Sequence, residues 1–487
     1  MNLKQTTFSA VRWTTFAMVG NTSLQFVQVA VLARLLTPSD FGVMAMVVAI
    51  MAFVQVLTDL GVSNAIIHYQ DITQNQLSSL YWLNVSVGLG LMLILMVASY
   101  PISTLLFKQP DLQPLLMLLS FTVLLTAAGQ QVRVMAEKAL RFSVLAKIEL
   151  TCVFLGSFTA IGWALVSPSV YALLAGMMVS EATKSLLLWC FATQGWRPTF
   201  RLKLGEIQHF LKFGAYIMAN NFINSVNMQA DVLIAGRLFP AVSVGLYSMP
   251  RNLSLKIAGA INPVVSRVGL PVMAQAQHDK TFLKTVYLKT MRMTASINFP
   301  IYLALGAFSD EIITLVLGPR WLDSAPLLIL LAIWGMFRSC GNPVGSLLLA
   351  VGKADVSFKW NLCLFFIVPP FLWVAAQWGI EGLAAGQAIL MAGLLIPAWY
   401  FLVWPNCGAR GWEYAKSLLS PLVCSLPAVS LGFFAATVAT EPGYRLLVAS
   451  IIATPIYLLL SAVFNREWLQ AMWQLLTRRN QSENKAA

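Results

Sequence analysis

Residues 79–106 read SLYWLNVSVGLGLMLILMVASYPISTLL, 28 consecutive positions without a Lys, Arg, Asp or Glu. A bilayer core of about 30 Å is crossed by roughly 20 apolar residues in a helix, so this stretch spans a membrane with residues to spare. The rest of the chain has the same character. Of its 487 residues, 58% are hydrophobic and 10% charged, against about 25% charged in a soluble domain. A chain of this length cannot hide so much apolar surface from water, so its solvent is lipid. A cytosolic enzyme, a secreted domain and a disordered scaffold are thereby excluded. The six cysteines form no C-x-x-C pair and have no clustered His partner, which argues against a disulfide framework or a zinc site.

Working outward from 79–106, apolar runs predict fourteen spans, at 11–35, 41–64, 79–106, 112–135, 143–166, 170–193, 207–236, 242–269, 286–308, 324–350, 357–377, 381–404, 414–438 and 443–464. The first runs on through Arg34 without an A-x-A-like site, so it is expected to stay rather than be removed as a signal peptide. With the N-terminus placed in the cytoplasm, 23 of the 32 Lys and Arg residues fall on inner segments, among them Arg141, Arg197, Arg201, Lys203 and Lys212. Five fall outside: Arg34, Lys108, Arg237, Arg320 and Arg445. That asymmetry is the positive-inside pattern of an even number of spans with both ends in the cytoplasm. It also accounts for the net charge of +13 as a topology signal rather than a nucleic-acid surface.

An internal repeat organises the spans. Residues 111–120 read DLQPLLMLLS and residues 323–332 read DSAPLLILLA, an offset of 212. At the same offset Gly129-Gln130-Gln131-Val132 meets Gly341-Asn342-Pro343-Val344, and Arg141 and Lys147 meet Lys353 and Lys359. At 203, Asn21, Arg34-Leu35 and Gly42 meet Asn224, Arg237-Leu238 and Gly245; at 210, Ala175-Gly176 meets Ala385-Gly386. The expectation is an N-terminal lobe over 1–195, a C-terminal lobe over 206–405, two further spans over 413–465 and a cytoplasmic tail over 466–487. An even-numbered repeat keeps its orientation, so the lobes form a parallel pair, an architecture suited to alternating access.

Charge inside a span costs about 2.5–3.5 kcal/mol at the helix centre and calls for a partner or a wet cavity. Lys184, Arg251, Lys256 and Arg338 lie at such depths, against the acids Asp59, Glu149, Glu181 and Asp231. Glu181 and Lys184 are three apart on one helix face, where they either pair or serve a cavity. The other three cations have no acid nearby on their own segments, which points to a positively charged cavity. Asn220, Asn224, Asn227 and Asp231 form one helical stripe, and Asn21, Gln25 and Gln28 form another. Either stripe is packing glue or the wall of a water-lined groove. Pro250, directly before Arg251, predicts a bend or break there. Cations suit phosphate and carboxamides suit sugar hydroxyls, so an anionic, hydroxyl-rich solute fits this set.

The stretches VLARLLTPSDFGVMAM (31–46), LGVSNAIIH (60–68), LYWLNV (80–85), RLFPAVSVGLYS (237–248), NPVVSRVGLPVMA (262–274) and FRSCGNPVGSLLLAVGKADVSFKWN (337–361) resemble the polysaccharide-transport branch of the multidrug/oligosaccharidyl-lipid/polysaccharide exporter superfamily. Within it the chain looks most like Wzx-type flippases of the colanic-acid exporter kind, over nearly all of residues 5–465. The resemblance implies an all-α integral membrane protein of fourteen helices in a V-shaped fold. It implies translocation of undecaprenyl-diphosphate-linked repeat units across the bacterial inner membrane, with a cationic cavity for the sugar–diphosphate head. Polymerase and chain-length proteins of the same pathway are the expected partners, and no cofactor is. Arg338 and Asn342 fall in the longest matching stretch, whereas 248–256 departs from the more apolar pattern of the family.

Other functions share parts of this reading. A cation antiporter of the same superfamily usually places an acid and a proline in its first helix, and 11–35 has neither. A lipid II flippase moves the same carrier lipid. A membrane glycosyltransferase or polymerase needs acids on outer loops, where only Asp40, Asp111, Asp310, Glu311, Asp323, Glu381 and Glu441 occur, most at helix ends. No G-x-x-x-x-G-K-[ST] stretch is present, so a gradient is the expected drive. Burial disfavours the charged form of a carboxylate, which makes Asp59, Glu149 and Asp231 the candidate proton carriers.

Overall fold

A computed structural model describes residues 3–69, 71–193 and 195–470. The part of the expected tail from 471 onward lies outside the described residues. All regular structure among the described residues is helical: α1 (Leu3–Leu35), α2 (Pro38–Asp59), α3 (Val62–His68), α4 (Gln74–Pro101), α5 (Leu112–Lys138), α6 (Phe142–Val166), α7 (Val170–Phe191), α8 (Leu204–Leu238), α9 (Ala241–Gln275), α10 (Lys280–Ala307), α11 (Ser309–Val316), α12 (Ala325–Ser339), α13 (Gly341–Ala350), α14 (Ala354–Ala375), α15 (Gly379–Ala398), α16 (Trp404–Cys407), α17 (Gly411–Ala436) and α18 (Pro442–Phe464). Among the described residues nine helical stretches are long and apolar enough to cross a membrane, or ten if α10 and α11, bent by 81° at their junction, count as one. The chain is a multi-pass membrane protein. α1, α8 and α9 are not among the nine, and α1 and α8 are the helices that carry the amide stripes.

The chain folds into two compact units, Met1–Gly245 with Leu364–Pro369, and Leu246–Cys363 with Pro370–Ala487. The repeat places a lobe boundary between 195 and 206, but α8 belongs to the first unit. It packs along α2 and α3, where a Cβ on Gly61 would overlap the backbone of Gly214.

Duplicated sequence builds duplicated local structure. Leu115, Leu116 and Leu119 bury one face of α5, and their counterparts Leu327, Leu328 and Leu331 bury the same face of α12, all at 2% exposure or less. α5 closes in a Schellman turn, in which Arg141 N donates to Ala136 O (2.9 Å) and Leu140 N to Glu137 O (2.9 Å). α13 closes in the same turn 212 residues later, with Lys353 N donating to Leu348 O (2.9 Å) and Gly352 N to Leu349 O (3.2 Å). The left-handed residue is Leu140 in one copy (φ 57°) and Gly352 in the other (φ 70°). The paired glycines act alike too. Gly176 lets α7 approach Gly156 and Ala160 of α6, and Gly386 lets α15 approach Ala375 of α14.

At one end of the first unit the segment joining α7 to α8 is laced to α4. Thr199 N donates to Ser78 Oγ (3.1 Å), Lys203 N to Ser79 Oγ (3.3 Å), and Trp82 Nε1 to Thr199 O (2.9 Å). Trp196 is buried there against Tyr81 and Trp189.

Candidate substrate-binding and coupling residues

In the first unit, α2 stops at Asp59 because Leu60 and Gly61 both turn left-handed (φ 49° and 69°) before α3 begins. Asp59 accepts a hydrogen bond from Ser63 Oγ across this break, and Ser63 Oγ in turn accepts from Gln130 Nε2 of α5 (3.1 Å). The carboxylate is thus held by neutral donors in series. Neither Ser63 nor Gln130 was singled out in the sequence. The equivalence of Gln130 with Asn342 in the repeat was the available signal.

The other acids are engaged differently. Glu149 lies 3.4 Å from the Arg133 guanidinium, which also holds Glu137 at 2.9 Å. Glu181 and Lys184 form an ion pair at 3.4 Å, each side chain about a quarter exposed (26% and 27%), and Thr126 Oγ1 donates to Glu181 (3.4 Å). The pairing open to Lys184 is made, and both partners keep some exposed surface. Asp231 is buried on α8.

The amide stripes are mixed in character. Gln28 Oε1 accepts from Ser157 Oγ of α6 at 2.8 Å, an interhelical link of the kind that fastens membrane helices. Gln25 and Asn224 are exposed, and Asn227 is partly buried. The side-chain oxygens of Asn21 and Asn220 are buried and find no hydrogen-bond partner among the described residues. A buried carbonyl oxygen without a donor is costly, so these two positions have acceptor capacity to spare.

The second unit holds the other three cations. Arg251 is buried, Lys256 half-buried, and the Arg338 guanidinium sits over the Trp334 ring at 5.3 Å. Such stacking on an indole face orients a guanidinium. Tyr302 OH donates to Ser254 O at 2.7 Å, tying α10 to the cationic part of α9. Asn342 is exposed at the start of α13, with Nδ2 3.4 Å from Ser339 O. Of the bend or break expected at Pro250, the break does not occur: α9 is one continuous helix from Ala241 to Gln275 through three prolines. A proline removes one hydrogen bond, and surrounding helices make that tolerable in a membrane helix. A discontinuity near the cations of this unit lies at Cys340, between α12 and α13, two residues beyond Arg338.

The stripes of Asn and Gln belong to the first unit, where Lys184 is paired, while Arg251, Lys256 and Arg338 all belong to the second. The second unit also holds a part-buried ion pair that the sequence did not suggest, Glu311 of α11 with Arg445 of α18; the Arg445 guanidinium lies 5.9 Å from the Phe433 ring.

Residues 31–326 match a family model described as polysaccharide biosynthesis protein. The chain is 31% identical over 437 residues to the lipopolysaccharide biosynthesis protein WzxC of Escherichia coli K12, covering 89% of this chain and 88% of that one. It is 30% identical to the teichuronic acid biosynthesis protein TuaB of Bacillus subtilis 168, over 89% of each. It is 32% identical to the amylovoran biosynthesis protein AmsL of Erwinia amylovora, over 74% of this chain and 92% of the relative. Among solved structures, the lipid II flippase MurJ in an inward closed conformation superposes with a TM-score of 0.76 at 14% identity, over 95% of this chain and all of that one. An inward-facing MATE-family transporter of the MOP superfamily superposes with 0.60 at 14% identity, over 79% and 93%. At such identities the two structures share the fold with this chain. The likeness to Wzx-type exporters of that superfamily, drawn from the sequence, stands.

Proposed function

This chain is a member of the polysaccharide biosynthesis protein family, and from that premise we propose that it is a flippase rather than an enzyme. It moves undecaprenyl-diphosphate-linked oligosaccharide repeat units from the inner to the outer leaflet of the bacterial inner membrane, for exopolysaccharide or O-antigen assembly. The observation that carries this reading is the likeness, over about nine-tenths of the chain, to proteins named for lipopolysaccharide and teichuronic acid biosynthesis. The fold of a lipid-linked-precursor flippase supports it.

In this reading the chain crosses the bilayer fourteen times with both ends in the cytoplasm. Two six-helix lobes plus α17 and α18 make a V-shaped transporter working by alternating access. Arg338, with Arg251 and Lys256, meets the diphosphate, since Arg offers paired donors to phosphate oxygens. The amides Asn342, Asn21, Gln25, Gln28, Asn220, Asn224 and Asn227 meet sugar hydroxyls, each of which costs roughly 4–8 kcal/mol to strip of hydrogen bonds in an alkane-like medium. Lys184 contributes as a pair with Glu181. Asp59, Glu149 or Asp231 carries a coupling proton, and polymerase and chain-length proteins of the pathway are partners.

The test is charge reversal in a bacterial strain lacking its own exporter and expressing this chain. Arg338→Glu at normal membrane levels is expected to abolish surface polymer while lipid-linked repeat units accumulate inside. Normal polymer from that variant would remove Arg338 from the account. Failure of the unmutated chain in strains offering several repeat units, with rescue of a strain lacking its lipid II flippase, would favour peptidoglycan precursor as the cargo. The fold likeness makes that second arm necessary.

A further inference from the structure

The segment between α7 and α8 shows an apolar side chain in an unusual position. Phe200 is 92% exposed, yet it is not loose. Its ring stacks on Trp82 (4.6 Å, 22°), and the residue before it is fixed from both sides, by Ser78 Oγ on its nitrogen and Trp82 Nε1 on its oxygen. Ser78 is anchored to Gln74 O (2.9 Å), and Gln76 Nε2 reaches across to Glu206 O (3.3 Å) at the start of α8. Leu202 and Leu204 are half-exposed beside it (50% and 56%). The chain thus spends several hydrogen bonds on holding an apolar wedge outward, where folding alone would turn it in.

Two observations say what covers the wedge. The first is position. The segment begins where the membrane-length helix Val170–Phe191 ends, and it is laced to the first turns of another, Gln74–Leu106. It therefore lies at the rim of the bilayer. The second is charge. Residues 193–205 contain Arg197, Arg201 and Lys203 and no acid. Arg201 and Lys203 share the single carboxylate of Glu206, at 2.6 and 3.7 Å, so one positive charge of the two is left over; the Lys203 side chain is 61% exposed, and Arg197 is exposed, as is Lys212 two turns into α8. Fixed apolar side chains ringed by Lys and Arg suit an anionic lipid surface, with rings among the acyl chains and cations at the headgroups. The positive-inside pattern assigns this segment to the cytoplasmic leaflet, where anionic headgroups are the matching chemistry.

We infer that residues 197–204 form a lipid-docking wedge that inserts Phe200 into the inner leaflet and gathers anionic phospholipid through Arg197 and Lys203. This is independent of the cargo. It concerns which lipids stand beside the first unit, not which glycan is moved.

The test uses the full chain in nanodiscs. With the exposed Cys190 and Cys363 replaced by Ala, Phe200→Cys carries an environment-sensitive nitrobenzoxadiazole label in place of the ring. Brominated phosphatidylglycerol and brominated phosphatidylcholine are compared as quenchers at equal mole fraction. The expected result is a membrane-type emission spectrum and preferential quenching by the phosphatidylglycerol. About fivefold selectivity per basic residue is the ceiling, at roughly 1 kcal/mol each. Arg197→Gln with Lys203→Gln should bring the two quenchers level without moving the spectrum. A water-type spectrum with no quenching would overturn the insertion and turn attention to a protein partner on Phe200. Equal quenching by the two lipids before any charge is removed would overturn the anionic selectivity. Unchanged elution volume and melting temperature of each variant guard against misfolding.

Discussion

Gly42 and Gly245 meet backbone to backbone, and they do so reciprocally. A Cβ on Gly42 would overlap the Ala241 carbonyl, and one on Gly245 would overlap the Pro38 carbonyl. Pro38 and Ala241 are themselves 203 apart, as are the two glycines. Each added Cβ would also crowd the other glycine's nitrogen, at 2.8 and 3.1 Å. A local two-fold therefore relates the first turns of α2 and α9, and both glycines are fixed by the same steric demand. The obstacles are backbone atoms, which cannot rotate away. Gly42→Ala or Gly245→Ala should each cost about 3 kcal/mol, at the upper end of ordinary overpacking. Gly90, with nothing within 4 Å of an added Cβ, is the control. Gly90→Ala should be neutral or gain up to about 1 kcal/mol from helix propensity. Melting of the detergent-solubilised chain followed by size-exclusion separates these outcomes, and an unshifted melt for Gly42→Ala would refute the close approach.

The duplicated Schellman turn predicts opposite signs at equivalent positions. Leu140 holds a left-handed φ that a side chain disfavours by roughly 1–2 kcal/mol, whereas Gly352 holds it freely. Leu140→Gly should raise the melting temperature and Gly352→Leu should lower it. The Leu140 side chain is about half-exposed (48%), so little packing is lost in the first change. Shifts of the same sign for both would mean that packing, not φ, decides these turns.

Glu181 and Lys184 should behave as a pair. Glu181→Gln alone strands a cation within a span and should cost about 1–3 kcal/mol, as when one partner of a part-buried pair is lost. Glu181→Lys with Lys184→Glu should recover most of that and restore polymer export. Loss of export by the swapped double variant at normal protein levels would show that the sign at position 184 matters in itself, as a substrate-binding role for Lys184 requires.

Glu311 is 5% exposed and faces Arg445, about a quarter exposed. Glu311→Gln should destabilise by about 2 kcal/mol, less than the 3–5 of a fully buried pair because water reaches the arginine. Replacing both by Met should be close to neutral, since the surroundings include Phe433 and other apolar side chains. A double variant as unstable as the single one would mean that the charge itself anchors α11.

The helices were legible because each apolar run is long and its ends carry ordinary signals. Val170–Phe191 and Pro442–Phe464 fall within about two residues of the spans read from sequence. The break after Asp59 was not legible. Leu60 gives no local sign of a left-handed conformation, and the constraint is the Gly214 backbone, some 150 residues away in sequence. At Pro250 the helix continues rather than breaks, because a proline removes one hydrogen bond and a membrane helix finds other partners for the freed backbone group. Of the candidate charges, the Glu181–Lys184 pairing was visible because both sit on one helix face. Arg133 with Glu149, Arg445 with Glu311, and Gln130 with Ser63 each join different helices, and no periodicity within one segment reveals such partners. Trp334 under Arg338 lies four residues away on the same helix; that spacing was there to be read.

The lacing of residues 196–203 onto α4 also bears on how the polypeptide can be cut. The linker between two repeated halves is where one would divide the gene to express them as separate fragments, or insert a reporter. Here the linker is a splint. Its backbone supplies hydrogen-bond partners for Ser78, Ser79 and Trp82, so severing it after Trp196 would take these partners from the N-terminal fragment and leave Ser78 only its bond to Gln74 O. Fragments divided at Gln277–Asp279, an exposed turn between α9 and α10, would keep that splint whole and are the better starting point for split-protein reconstitution.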